Sequence, residues 1–150
     1  MAVDVGNAVQ RLPHRPPMLM LDSAEPAGEG ALVAYQTIPT SGPFVDGHFP
    51  GFAVWPGALL VEAMAQTTAV LLLGDRGLAA DEVPVLGAAD CRFLRPVFPG
   101  DRLRFHTELV RRVGDLGLFR VRVERGGELV ARGRISAGLT ARSALAREGS

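Results

Sequence analysis

Residues 56–74 read PGALLVEAMAQTTAVLLLG, and this stretch decides the fold. Its 58–73 segment contains no Gly or Pro, and its Ala, Leu and Met content favours a helix over a strand. Pro56-Gly57 opens the segment and Gly74 ends it. Because the helix is apolar on nearly every side, it must be surrounded by protein rather than lie on a surface. Its one ionisable side chain is Glu62.

The chain on either side of this helix is predicted to form strands. One is expected before the helix and four after it, at 31–38, 83–94, 102–113, 118–124 and 128–139. Apolar and charged residues alternate in the third and fourth of these, which indicates a sheet with one apolar face. Gly114-Asp115 and Gly126-Gly127 supply hairpin turns, so the C-terminal half is expected to be an antiparallel meander. One apolar helix and one amphipathic sheet predict an α+β fold in which the sheet wraps the helix.

Length and composition narrow the class of protein. The 150 residues fit one domain, predicted to span 1–150 with flexible tails at 1–10 and 141–150. Sixteen arginines balance sixteen acidic residues, which argues against a nucleic-acid-binding or polybasic membrane-binding protein. One cysteine and three dispersed histidines exclude an internal disulfide framework and give no metal-ligand spacing. No targeting segment is visible and the apolar run is short for a membrane span, so a cytoplasmic location is expected.

The loop before the helix carries the chemistry. Residues 41–57 read SGPFVDGHFPGFAVWPG, and a loop of this length inside a small domain is usually functional. His48 and the helical Glu62 form a minimal general acid/base pair, because burial raises a carboxyl pKa and imidazole titrates near neutrality. Gly57 offers a backbone N–H at the positive end of the helix dipole, where a carbonyl gaining negative charge would be stabilised. A structural His and a surface Glu remain the alternative interpretation.

Four ordered blocks of sequence carry a family resemblance. They are LPHR at 12–15 with MLMLD at 18–22, GHFPG at 47–51, WPGALLVEAMAQ at 55–66 and RFLRPVFPGD at 92–101. Together they resemble the bacterial 3-hydroxyacyl-[acyl-carrier-protein] dehydratases of the FabZ type over residues 11–139. The resemblance implies a hotdog fold, in which a long central helix is wrapped by a curved antiparallel sheet.

The same resemblance implies roles for individual residues. His48 matches the family's catalytic His, Glu62 its catalytic acid, and Gly57 the glycine whose N–H binds the thioester carbonyl. Gln66, one turn after Glu62, is expected to orient that carboxyl. The implied homodimer places the His of one subunit opposite the Glu of the other, with dimers grouped as a hexamer. Glu rather than Asp at position 62 indicates a plain dehydratase that does not also isomerise the double bond.

The implied reaction removes water from a (3R)-3-hydroxyacyl thioester on acyl carrier protein and gives the trans-2-enoyl thioester, in fatty acid or related biosynthesis. No metal or organic cofactor is expected beyond the carrier's phosphopantetheine. Phe49, Trp55 and Phe98 are the candidate acyl-pocket residues. Ala53 and Trp55 depart from the family's usual Pro and smaller side chain, so the acyl pocket is expected to be reshaped. A hotdog thioesterase and a non-catalytic acyl-binding protein on this fold are the alternatives.

The remaining candidates receive structural interpretations. His14 is interpreted as a residue tying the N-terminal segment to the sheet, His106 as a solvated strand residue and Cys91 as a small buried hydrophobe. Charge is uneven along the chain: residues 1–90 hold three arginines and ten acidic residues, whereas 91–150 hold thirteen and six. One hypothesis is that strand arginines receive the acidic carrier protein, and the other is that they pair with the acidic half. The strand arginines are those at 102, 104, 120, 122, 132 and 134.

Overall fold

A computed structural model describes residues 5–146, which form four helices and one six-stranded sheet. The helices are α1 (Val5–Gln10), α2 (Pro43–Asp46), α3 (Gly57–Leu73) and α4 (Arg142–Leu145). The strands are β1 (Ser23–Pro26), β2 (Ala31–Thr37), β3 (Glu82–Phe93), β4 (Arg102–Val113), β5 (Leu116–Arg125) and β6 (Glu128–Ala141). The predicted helix and the five predicted strands therefore occur within two residues of the expected bounds.

Helix α3 lies across the apolar face of the sheet. All strand pairs are antiparallel, in the order β1-β2-β4-β5-β6-β3, and α3 contacts β2 to β6. Met64 from α3 meets a core in which Phe105, Phe119 and Ile135 have no exposed surface. Gly74 ends the helix at φ 53°, with its N–H donating to Val70 O at 3.2 Å. The predicted α+β hotdog fold is confirmed.

The prediction of a meander through the whole C-terminal half is wrong for β3. Strands β4, β5 and β6 form a meander, but β3 pairs with β6 and occupies the edge of the sheet. The segment after β3 crosses the end of the sheet before β4 begins. It is held there by the Leu94 N–H, which donates to Val130 O at 2.8 Å, and by Val97 O, which accepts from Trp55 N–H at 2.7 Å. Tertiary contacts of this kind are not encoded in local periodicity.

The predicted tails contain regular secondary structure where the structure describes them, and their flexibility stays a prediction. Residues 5–10 form α1, in which Ala8 and Val9 are buried, because these apolar side chains pack beside β1. At the other end, Ala141 belongs to β6, and Asp81 O accepts a hydrogen bond from the Arg142 N–H at 2.6 Å. Residues 1–4 and 147–150 of these predicted tails lie outside the described residues. No helix within 5–146 is both long and apolar enough to cross a membrane.

Two surfaces of the single chain, one on α3 and one on β3, are only partly covered by the other described residues. One side of α3, carrying Glu62, Ala65 and Leu72, is only half-buried, whereas nine other residues of the helix, from Leu60 to Leu73, are buried. The edge strand β3 is also open, and its Leu86 and Phe93 are 47% and 50% exposed. A sheet edge with exposed apolar side chains can pair with another chain. These surfaces place the candidate site at a boundary of the subunit.

Candidate active site

His48 is presented by a narrow turn that follows α2. Phe49 and Phe52 exchange two backbone hydrogen bonds of 2.9 Å, and His48 O accepts from the Val54 N–H at 2.8 Å. Gly51 turns the chain with φ 80°, a conformation that side-chain-bearing residues rarely adopt. His48 Nδ1 lies 2.8 Å from Val54 O. Because a carbonyl can only accept, Nδ1 carries a proton, and Nε2 is the ring nitrogen left to act as a base.

A groove beside His48 also includes the start of α3, and it is called the His48 groove below. It has a volume of about 380 Å³ and is lined by His48, Val54, Trp55, Gly57, Leu60 and residues 93–97. Gly57 is the first residue of α3, so its N–H has no carbonyl one turn earlier within the helix. A Cβ at this position would lie 3.3 Å from Phe93 Cε1. Glycine therefore lets the Phe93 ring pack closely against the start of the helix.

Glu62 lies in a different, smaller pocket and is held by Gln66. The Gln66 Nε2 donates to Glu62 Oε1 at 2.9 Å and to Met18 O at 2.7 Å, while its Oε1 accepts from the Met20 N–H at 2.9 Å. The backbone N–H of Met20 can only donate, so the orientation of the amide is determined. Gln66 is 1% exposed. The segment 18–20 therefore clamps the amide that contacts the Glu62 carboxylate.

His14 is the residue that sequence reasoning missed. Its Nε2 lies 3.5 Å from Glu62 Oε1, so its interpretation as a purely structural residue overlooked a contact with the candidate acid. Burial lowers the pKa of His14, the Glu62 carboxylate opposes this shift and Arg15 adds to it. A lowered pKa keeps the ring neutral at neutral pH. The two residues are separated by 48 positions in the chain. The one signal that could have linked them is that both lie in blocks that carry the family resemblance.

The structure of one chain does not bring His48 and Glu62 together. The groove with His48 and the pocket with Glu62 share no lining residue, and no contact joins the two side chains among the described residues. Both sites open beside the uncovered surfaces of α3 and β3. The expected active site between two subunits is compatible with this geometry and stays a prediction.

The three candidate pocket residues differ in position. Phe49 is 55% exposed and stacks on His48, with ring centroids 4.2 Å apart. Trp55 is buried and separates the His48 groove from a second cavity of about 280 Å³ beside Phe44. Phe98 is not among the residues that line the His48 groove. Its ring packs edge-on against that of Phe52, with the ring centroids 6.5 Å apart. Trp55 is thus the pocket candidate placed to shape the groove from inside the core.

Other reactive side chains stand apart from this site. Cys91 is half-buried with its sulfur 3.7 Å from Met64 Sδ, and burial and then Asp90 raise the pKa of its thiol. His106 lies half-buried on the outer face of β4. Among residues 5–146, no three His, Cys, Asp or Glu side chains are grouped as metal ligands.

A family model described as a FabA-like domain matches residues 12–134, which include every residue of the site described above. The chain belongs to the FabA-like family. Its FabZ-type relatives are named 3-hydroxyacyl-[acyl-carrier-protein] dehydratase FabZ. The protein from Paramagnetospirillum magneticum is 37% identical over 132 residues, covering 86% of this chain and 82% of the relative. The one from Myxococcus xanthus is 36% identical over 149 residues and covers 97% of both.

Solved structures share the fold of this FabA-like chain. The dehydratase heterocomplex ApeI:P from Xenorhabdus doucetiae has a TM-score of 0.76, is 22% identical, and covers 92% of this chain and 93% of that chain. A hypothetical thioesterase with coenzyme A from Streptococcus pneumoniae TIGR4 has a TM-score of 0.60 at 13% identity, with 79% and 84% coverage. At these identities the likeness concerns the fold alone, because one fold hosts several chemistries.

Proposed function

We propose that this FabZ-type chain dehydrates (3R)-3-hydroxyacyl thioesters carried on acyl carrier protein to trans-2-enoyl thioesters, in fatty acid or related biosynthesis. The observation that carries the proposal is the hydrogen bond from His48 Nδ1 to Val54 O, which leaves Nε2 as the free ring nitrogen of a histidine that lines the same groove as Gly57. Family membership and the FabZ relatives support the same reaction. A cytoplasmic location stays a prediction.

In the proposed mechanism, one group removes a proton, a second stabilises negative charge and a third donates a proton. His48 Nε2 removes the α-proton, and the Gly57 N–H stabilises negative charge on the thioester oxygen. Glu62 from the other subunit donates a proton to the 3-hydroxyl as its C–O bond breaks, so water leaves and the α,β double bond forms. A proton then passes from His48 back to Glu62, directly or through solvent. These residues supply every proton transfer, so the mechanism draws on no metal or organic cofactor.

The proposal requires a homodimer, because one chain holds His48 and Glu62 in separate pockets. The half-buried side of α3 and the open edge of β3 are the surfaces that a second copy would cover. In a two-fold dimer each surface meets its own copy, and two equivalent sites result. Assembly of dimers into a hexamer stays a prediction.

Hydration of a crotonyl thioester is the reverse of the proposed reaction and tests it. It is measured as the loss of enoyl absorbance. The wild type should be active, whereas His48→Ala and Glu62→Gln should lose at least about 100-fold in kcat/KM. His106→Ala and Glu29→Gln are the matched controls, because these residues lie outside both pockets. Release of free thiol would indicate the thioesterase instead. Binding without either reaction would indicate the non-catalytic alternative.

Mixing the two inactive variants tests the shared site. Random exchange of subunits makes half of the dimers mixed, and each mixed dimer has one intact site of two, so about a quarter of the activity should return. If subunits exchange and no activity returns, the assignment of His48 and Glu62 to opposite subunits is wrong. Labelled subunits report the exchange independently of activity.

A further inference from the structure

A cavity of about 280 Å³ lies beside Phe44 and is separated from the His48 groove by Trp55; it is called the Phe44 cavity below. Its walls come from residues 16–22, residues 36–42, helix α2 and Trp55. Most of the side chains in these walls are apolar. A water molecule's share of liquid volume is about 30 Å³, so the cavity has room for a small organic molecule.

Two buried polar atoms in the walls of the Phe44 cavity have no hydrogen-bond partner among residues 5–146. They are Gln36 Oε1, which is an acceptor, and Trp55 Nε1, which is a donor. Gln36 is 2% exposed and Trp55 is 4% exposed. The other buried side-chain atom without a partner in the described part of the chain is His14 Nδ1. Because folded proteins satisfy nearly all buried polar groups, an acceptor and a donor in one cavity indicate a polar occupant.

The surrounding structure fixes the orientation of both groups. Gln36 Nε2 donates to Met20 Sδ at 3.6 Å, and a thioether sulfur can only accept, so the carbonyl oxygen is the end of the amide without a partner. The backbone N–H of Trp55 donates to Val97 O at 2.7 Å. The Trp55 ring packs edge-on against Phe44, with the ring centroids 6.3 Å apart. The acceptor and the donor are therefore held in place before a ligand binds, which lowers the entropic cost of binding.

The charge of the cavity favours a neutral ligand. Among the described residues that line it, only Asp22 is ionisable, and its carboxylate accepts a hydrogen bond from the Thr37 N–H at 2.6 Å. A carboxylate or phosphate ligand would lie near this negative charge with no cation of the cavity walls to balance it. A hydroxyl group meets the requirement without charge, because it can donate one hydrogen bond and accept another.

We propose that the Phe44 cavity is a second binding site, which takes a small neutral molecule with a hydroxyl group on an apolar ring. The hydroxyl donates to Gln36 Oε1 and accepts from Trp55 Nε1, while the ring packs against Phe44 and Val45. Because Trp55 lies between the two spaces, a ligand in the Phe44 cavity leaves the His48 groove open. Binding at this site is independent of the reaction proposed above.

Phenol is the probe, and Trp55 reports its binding directly. Trp55 is the only tryptophan in the chain, so its indole N–H gives a single resonance of that kind in a ¹⁵N-labelled sample. Phenol should shift this resonance with a Kd in the millimolar range or below. Toluene has nearly the same size but no hydroxyl, so it should bind at least about fivefold more weakly. Benzoate should not bind, because it is an anion.

Substitutions separate the cavity from the rest of the molecule. Gln36→Leu keeps a similar side-chain volume but removes the acceptor, so it should bind phenol at least about fivefold more weakly. Gln10→Leu is the matched control, because it makes the same change at an exposed position of α1 outside the cavity. The control should bind phenol as the wild type does. Trp55→Phe removes the donor, and calorimetry should show a similar loss of affinity in this variant.

Steady-state kinetics with a small crotonyl thioester test whether the site is separate. Phenol at concentrations that saturate the indole shift should leave KM unchanged. Competitive inhibition that persists in Gln36→Leu would place phenol in the His48 groove and overturn the proposal. It would also be overturned by an unshifted indole resonance, by equal affinities for phenol and toluene, or by an unchanged affinity in Gln36→Leu. A wild type inactive on the thioester would refute the proposed function, while the indole measurement would still decide the second site.

Discussion

Replacement of Gln66 by Leu tests the clamp that holds the candidate acid. The substitution keeps a similar side-chain volume, so it creates little cavity, but it removes all three hydrogen bonds of the amide. The Met20 N–H is buried and loses its only acceptor among residues 5–146, and the Met18 carbonyl loses a donor in a partly buried place. Glu62 loses the N–H that fixes its carboxylate.

The structure sets the size of the effect. An unsatisfied buried N–H costs about 1–3 kcal/mol, and the partly buried carbonyl, which water can reach, costs about 1 kcal/mol. The free energy of unfolding should therefore fall by about 2–4 kcal/mol. For a chain of this length, that lowers Tm by about 5–15 °C. The loss of orientation at Glu62 should lower kcat for the hydration of a crotonyl thioester by about 100-fold, with a smaller effect on KM.

Gln36→Leu is the matched control. Gln36 is as buried as Gln66, at 2% exposure, but its Nε2 contacts only Met20 Sδ at 3.6 Å and its Oε1 has no partner among the described residues. Removing an unsatisfied amide should change the free energy of unfolding by less than about 1 kcal/mol and leave kcat intact. Urea denaturation and steady-state kinetics measure both variants. Equal destabilisation of the two, or an unchanged kcat in Gln66→Leu, would refute the clamp.

Three further predictions follow from particular contacts. Because the pKa of His14 lies below 6.5, the unfolded chain binds its proton more readily, and stability is lost as pH falls below 6.5. In urea denaturation, His14→Gln should lose less stability than the wild type over that range; equal losses would contradict this. Thr67 and Thr107 share a buried 2.6 Å hydrogen bond, so each single Val variant should cost about 1–2 kcal/mol, and the double variant less than their sum; strict additivity in thermal melts would disprove the coupling. Gly133→Ala would place Cβ 2.6 Å from Cys91 Sγ, so the free energy of unfolding should fall by about 1–3 kcal/mol, and an unchanged Tm would show that the β6–β3 pairing adjusts freely.

Local patterns in the sequence predicted much of the fold. Helix α3 could be predicted because it is long, apolar and bounded by glycines, and β4 and β5 because alternation repeats at every second residue. Strand β1, with four residues, was not predicted, because it is too short to show a period. Helix α1 was assigned to a tail for the same reason, since only its burial against β1 distinguishes it from one.

In the candidate site, too, the sequence could predict some features and not others. His48, Gly57 and Glu62 could be singled out because residue type and local setting point to acid/base chemistry. The contact of His14 with Glu62 could not be predicted from residue spacing, because 48 positions separate the two. Gln66 was expected to orient Glu62, but its fixation by the backbone of Met18 and Met20 depends on where the N-terminal segment packs.

The sequence by itself determined the elements and their amphipathic faces, because side-chain periodicity depends only on residues near one another in the chain. Tertiary structure alone decided that β3 pairs with β6, because strand pairing depends on packing over the whole sheet. The same pairing sets Arg92 opposite Arg132 and leaves an edge beside the His48 groove. The chain has as many arginines as acidic residues, yet Arg92 and Arg132 face each other with no carboxylate within 4.0 Å among residues 5–146, since register and not composition decides which charges meet.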